Sequence, residues 1–210
     1  MLITYIFIVI CNIYLSILLL WYFFPTGIVN LKYSVHGQEI RDITGNKGNL
    51  YIVDHRENPF VDILIMSNEC RKIKNKNKNY LLSAGSQRSK IINYLPKITP
   101  YEVVNITDGN TVQKCIDLIN NNNNVIVFIS NEVAKKTGIY YILKETKTKA
   151  IIVKKKIENI KFTGWEDRIV DIFGKKQEIT YTEYKYNLNL TPQDFMKQVI
   201  TILFFRPLND

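Results

Sequence analysis

The sequence predicts an α/β fold: a single domain with a mostly parallel sheet flanked by helices, preceded by an N-terminal transmembrane helix. First, residues 2–24 form one apolar segment, and no charged side chain occurs before Lys32. Second, short apolar runs rich in β-branched residues alternate with helical patterns, which favours parallel strands joined by crossover helices. Third, 210 residues, 46% of them hydrophobic, suffice for one domain with its own core.

Residues 1–26 are predicted to be a membrane anchor helix. At 1.5 Å per residue, the apolar segment Leu2–Phe24 spans roughly 34 Å, about one hydrocarbon core plus some tilt. Four aromatic residues at 21–24 suit the membrane interface, and Pro25 stops the helix. A cleaved signal peptide is the competing hypothesis, but a basic n-region and a small-residue cleavage site are not evident. Basic residues follow from Lys32 onward and none precedes, so we expect a single-pass membrane protein with its body on the cytosolic side.

Residues 27–210 are predicted to be the α/β domain, whose elements follow in chain order. Alternation of apolar and polar residues predicts a strand within Leu31–Gln38, and a Gly-Asn cluster at 45–49 predicts a turn. The most apolar short runs are expected to be strands of one sheet: Leu50–Val53, Val125–Ile129 and Ala150–Val153. A proline at the first helical position begins the helices predicted from Pro59 and from Pro192 through Phe205. Further helices are predicted at Ser86–Tyr94, Thr111–Ile119 and Gly138–Lys144.

Composition excludes several kinds of site. Three widely spaced cysteines do not suggest a disulfide framework or a thiolate zinc site, and two histidines exclude a histidine-rich metal centre. We therefore expect no metal. The formal net charge of +9 lies entirely on residues 32–210. Five positive charges fall within Arg71–Lys78, where they form either a solvated loop or, close to a membrane, a site for anionic lipid worth ~1 kcal/mol per charge.

The candidate catalytic residues are His55 and Asp62. His55 stands on a polar loop directly after the predicted strand Leu50–Val53, and Asp62 stands about one turn into the following helix. In α/β folds, a histidine at the carboxyl end of a strand often works with a carboxylate as a general base, because the carboxylate fixes the imidazole tautomer and stabilises the imidazolium. A loop histidine with charged neighbours and no catalytic role is the alternative.

Nearly the whole chain resembles the 1-acylglycerol-3-phosphate acyltransferase family, the glycerolipid acyltransferases. Residues 50–66, LYIVDHRENPFVDILIM, resemble the family's strand followed by Asn-His-x-x-x-x-Asp within an apolar run. Residues 121–145, NNNNVIVFISNEVAKKTGIYYILKE, resemble the segment that carries Phe-Pro-Glu-Gly-Thr-Arg, with Phe128 at the phenylalanine. The later segments KAIIVKKKI and RIVDIFGKKQEI are similar to the family's subsequent strands.

The resemblance implies a membrane-bound acyltransferase that moves an acyl group from acyl-CoA to a hydroxyl of a lysophospholipid or glycerol phosphate. His55 would take the proton of the hydroxyl, and Asp62 would orient His55. The substrate-binding residues that it implies are Arg56, Glu132, Lys135 and Lys136. No bound cofactor is implied, since acyl-CoA is a co-substrate. The expected partners are membrane lipid, acyl-CoA and a lysophospholipid acceptor.

Departures from the family pattern keep a second hypothesis open. Six residues separate His55 from Asp62, against the family's four. Ile129 and Ser130-Asn131 stand where the family has proline and Glu-Gly. The alternative is a catalytically degenerate acyltransferase-fold protein that acts as a membrane-tethered binding or scaffold protein. Nucleic acid is not an expected partner, because the basic cluster at 71–78 lacks interleaved aromatic residues and a membrane anchor suits such binding poorly.

Overall fold

The computed structural model describes most of the chain in nine segments. They are residues 2–26, 33–41, 47–55, 59–73, 78–83, 101–105, 109–130, 135–157 and 177–204. The predicted helix Ser86–Tyr94 lies outside the described residues, as do Arg56 and Glu132.

The described residues form one seven-stranded sheet. In chain order its strands are β1 Tyr33–His36, β2 Leu50–Asp54, β3 Asn79–Ser83, β4 Tyr101–Asn105, β5 Asn124–Ile129, β6 Ala150–Ile157 and β7 Gln177–Tyr184. Their order across the sheet is β1-β7-β6-β2-β5-β3-β4. Neighbouring strands are parallel, except that β6 and β7 are antiparallel. The predicted α/β fold with a mostly parallel sheet is therefore confirmed.

The central strand is β2, and all of its residues are buried. Leu50 lies opposite Val125 of β5 on one side and Ala150 of β6 on the other. The three apolar runs predicted to share a sheet are thus adjacent parallel strands, and this prediction is confirmed. Burial on both faces explains why these runs are apolar throughout, without the alternation of a half-exposed strand. Strand β6 extends four residues beyond the predicted Val153, because antiparallel pairing with β7 continues as far as Ile157.

Six helices lie within the described residues. They are α1 Leu2–Thr26, α2 Gln38–Arg41, α3 Pro59–Lys72, α4 Thr111–Asn120, α5 Gly138–Thr146 and α6 Pro192–Phe204. The last four match the helices predicted at those positions. α4, α5 and α6 pack on one face of the sheet, in a core that contains Ile52 of β2. α3 packs on the other face, where Ile65 and Met66 meet Val53, Phe128 and Val153; we call it the α3 face.

The N-terminal helix α1 runs without interruption over 25 residues. Its described side chains, those of residues 4–17, are all exposed. α1 lies beside α3. Within the described residues, no helix meets the length and apolarity needed to cross a membrane. The membrane anchor and the boundary after residue 26 stay predictions.

A buried ion pair ties α3 to the β1–β7 edge of the sheet. The Glu69 carboxylate is fully buried, and Arg41 of α2 donates a hydrogen bond from Nη1 to Oε2 at 2.9 Å. The Tyr181 hydroxyl of β7 donates to the same oxygen at 2.9 Å. The Tyr33 hydroxyl of β1 donates to Oε1 at 2.5 Å. We call these four residues the Glu69 cluster; they join segments that are far apart in the chain.

The electrostatics of the Glu69 cluster keep its carboxylate charged. Burial alone would raise the pKa of Glu69, but the hydrogen bonds from Tyr33, Arg41 and Tyr181 outweigh it and hold the pKa below its usual value. Burial, together with the Glu69 charge, raises the pKa of both tyrosines, so that their hydroxyls stay protonated donors. The cluster is therefore a satisfied ion pair that fixes α3 against the sheet.

Candidate functional site

The imidazole of His55 lies half-buried where β2 ends. The backbone N–H of His55 donates to the carbonyl oxygen of Ile129 at 3.0 Å, so pairing with β5 continues one residue beyond β2. Its ring lies against Phe128, with ring centroids 4.8 Å apart and planes at 51°. Because Phe128 belongs to the core on the α3 face, the imidazole is held at that face, at the carboxyl edge of the parallel strands.

Lys155 of β6 reaches the same place from the neighbouring strand. Val53 and Val153 are direct partners across the parallel pair, and both belong to the core on the α3 face. His55 lies two residues after Val53, and Lys155 lies two residues after Val153. Because side chains alternate along a strand, both point to the same face. The Nζ atom of Lys155 is buried from solvent, and its charge acts on the imidazole.

These surroundings keep His55 uncharged. Burial is the largest cause of a lowered pKa, the positive charge of Lys155 lowers it further, and the nearby Asp54 carboxylate offsets part of the effect. Together they lower the pKa of His55 to about 4. Near neutral pH the imidazole is therefore neutral and able to accept a proton.

The structure places Lys135 and Lys136 but does not describe the side chain of Asp62. Asp62 lies in the first turn of α3, as predicted, but its side chain is outside the described part of the chain. Its pairing with His55 therefore stays a prediction. Lys135 and Lys136 are exposed on the connection from β5 to α5. That connection leaves the carboxyl edge of the sheet near His55, but α5 packs on the face opposite α3.

Two charged residues of the site were not predicted from the sequence, Lys155 and Asp54. Asp54 is buried as the last residue of β2, directly before His55. Lys155 was missed because the strand was predicted to end at Val153. Extending the alternation of Ile151 and Val153 by one more step would have placed Lys155, and not Lys154, on the α3 face.

On the α3 face the site thus contains a neutral imidazole and a buried ammonium group, and the buried Asp54 directly precedes the histidine in the chain. Three residues separate His55 from Pro59, where α3 begins. Comparison with protein-family models found no match, and none of the curated proteins compared with the chain matches it. A neutral imidazole suits general-base chemistry, and an ammonium group in a site of low dielectric stabilises developing negative charge. Within the described residues, no group of three or more His, Cys, Asp or Glu side chains is placed to hold a metal ion.

Proposed function

We propose that the protein is a membrane-bound acyltransferase that moves an acyl group from acyl-CoA to a hydroxyl of a lysophospholipid or glycerol phosphate. The observation that carries the proposal is the uncharged, half-buried His55 at the carboxyl end of the central parallel strand, directly before α3. Open α/β sheets bind their ligands at this edge. The resemblance of residues 50–66, which include His55, to the family's histidine–aspartate segment also supports the proposal.

In the proposed reaction, His55 accepts the proton of the acceptor hydroxyl as its oxygen attacks the thioester carbonyl carbon. The carbon–sulfur bond then breaks, and the imidazolium returns the proton to the leaving sulfur, so that coenzyme A departs as a thiol. Asp62 orients the imidazole from the first turn of α3. The residues proposed to hold the substrate phosphate and its surroundings are Arg56, Glu132, Lys135 and Lys136.

The proposed anchor is α1. Most of its exposed side chains are large and apolar, with Tyr5 68% and Phe7 67% exposed. A continuous apolar surface of this kind is usually covered by lipid or by protein. Because α1 lies beside α3, an embedded α1 would hold α3 close to the bilayer, where the acceptor and the acylated product reside.

A transfer assay with the full chain tests the proposed activity. Membranes that contain the protein are expected to transfer label from a radioactive acyl-CoA to an added lysophospholipid or glycerol phosphate, and to show little transfer without acceptor. Membranes from cells lacking the protein are the control. A folded protein that transfers no label to either acceptor would contradict the proposal and favour the scaffold hypothesis.

Membrane attachment gives a separate prediction. The full chain is expected to stay in the pellet after alkaline carbonate extraction, because the proposed anchor has no charged side chain and is mostly apolar. A variant lacking residues 1–26 is expected in the supernatant. Protease should cut Arg71–Lys78 in sealed inside-out vesicles and spare it in right-side-out ones. A mature protein that begins beyond residue 24, or protection of residues 71–78 in inside-out vesicles, would disprove the predicted topology. The first two of these residues lie in the last turn of α3.

A further inference from the structure

The buried charge of Lys155 lies at a position of β6 where the alternation of core residues predicts an apolar side chain. On the α3 face this strand supplies Ile151, then Val153, then Lys155. The first two are fully buried core residues, and the direct partner of Lys155 on β7 is the fully buried Ile179. Burying an ammonium group is costly, and a lysine at such a position points to a use for its charge.

His55 lies beside this charge and is affected by it. The two residues are in equivalent positions on neighbouring parallel strands, two residues past the Val53–Val153 pair, and share a face of the sheet. The uncharged ring of Phe128 packs against the imidazole. Asp54 is the charged group that β2 itself contributes, and the alternation of the strand directs it to the opposite face.

We propose that Lys155 is a positioning residue for His55. The ammonium group of Lys155 disfavours a second positive charge in the site and so keeps the imidazole in its neutral, proton-accepting form. Two like charges in a poorly solvated site repel strongly, so the imidazole holds its proton only weakly. The effect on acyl transfer rests on the proposed function. The effect on the protonation of the imidazole can be measured whether or not the protein is an acyltransferase.

The experiment is an NMR titration of the full chain in detergent micelles, with ¹³C-labelled histidine. The chain has two histidines, and the His36→Gln variant assigns their signals. Lys155→Met removes the charge and keeps an unbranched side chain, whereas Lys155→Arg keeps the charge. Lys154→Met is the matched control, since it removes a neighbouring charge that β6 directs to the opposite face.

The imidazole of His55 is expected to titrate near pH 4 in the unmodified protein. Lys155→Met should raise that midpoint by roughly half a unit or more, whereas Lys155→Arg and Lys154→Met should leave it nearly unchanged. In the pH profile of acyl transfer, the pH below which the rate falls should rise by the same amount in Lys155→Met, because a general base must be unprotonated.

An unchanged midpoint in Lys155→Met, or an equal rise in Lys154→Met, would overturn the inference. Should Lys155→Met fail to fold, as judged by circular dichroism, Lys155→Gln replaces it in the titration. Loss of the fold in both, with Lys155→Arg folded, would assign the lysine a structural role instead and equally overturn it. Because the titration needs no substrate, a shifted midpoint without acyl transfer would reject the proposed function alone.

Discussion

Replacing His55 with alanine is expected to reduce acyl transfer by roughly 10²–10⁴-fold, the range typical of losing a general base. The fold should survive, because the backbone hydrogen bond from His55 to Ile129 does not depend on the side chain. The ring is only half-buried, and its packing contact is with Phe128 at the edge of the core. Initial rates of transfer at saturating acyl-CoA measure the effect, with circular dichroism as the check on folding.

The matched control is His36→Ala, which removes the chain's other histidine from an exposed position on β1 and should leave the rate unchanged. Asp62→Asn is expected to cost nearly as much as His55→Ala, because an amide in place of the carboxylate favours the wrong tautomer of the imidazole. Full activity in the His55→Ala protein would exclude catalysis at this site.

Glu69→Gln is expected to destabilise the protein by ~3–5 kcal/mol, the cost typical of breaking a buried ion pair by removing one partner. The change removes the carboxylate that pairs with the Arg41 guanidinium, which is also buried. It also weakens the hydrogen bonds that Tyr33 and Tyr181 donate to a charged oxygen. Urea denaturation, followed by circular dichroism at neutral pH, measures the loss in the free energy of unfolding.

The control for this change is Glu102→Gln. Glu102 also pairs with a basic residue, Lys78, but both side chains are largely exposed, so little change in stability is expected. The effect of Glu69 should also depend on pH. Because its folded-state pKa is below the usual 4.5, its stabilisation is present above that pH and is lost as the pH falls through the folded value. Equal effects of Glu69→Gln and Glu102→Gln would contradict the role assigned to the Glu69 cluster.

The centre of the sheet could be predicted from the sequence because burial on both faces leaves a direct signature there. β2, β5 and the first half of β6 are unbroken apolar runs, as parallel strands covered by helices must be. The helices that begin at Pro59 and Pro192 were found because a proline suits the first helical turn and fits badly elsewhere in a helix.

The edge strand β1 was predicted from its alternating pattern, but β3 and β4 at the other edge could not be predicted from the sequence. β3 and β4 each place two or three apolar residues between polar ends, a pattern that also suits a loop. His55 could be found because it directly follows a strand that is evident in the sequence. Lys155 could not, since its place beside His55 depends on which strand pairs with β2 and in which register, and both are properties of the folded chain.

The parallel pairing of β1 with β7 has a consequence for the order in which the protein is completed. Tyr33 pairs with Gln177, so β1 lacks the partner that it has among the described strands until synthesis has reached residue 177. At ~5–20 residues per second, this interval is on the order of ten seconds. During that time the edge of β1 that later pairs with β7 is exposed. The Glu69 carboxylate, which accepts a hydrogen bond from Arg41, still lacks its second donor Tyr181. A nascent chain truncated before β7 should therefore be open to proteolysis at its amino-terminal strand, although the central strands β2, β5 and β6 are already complete.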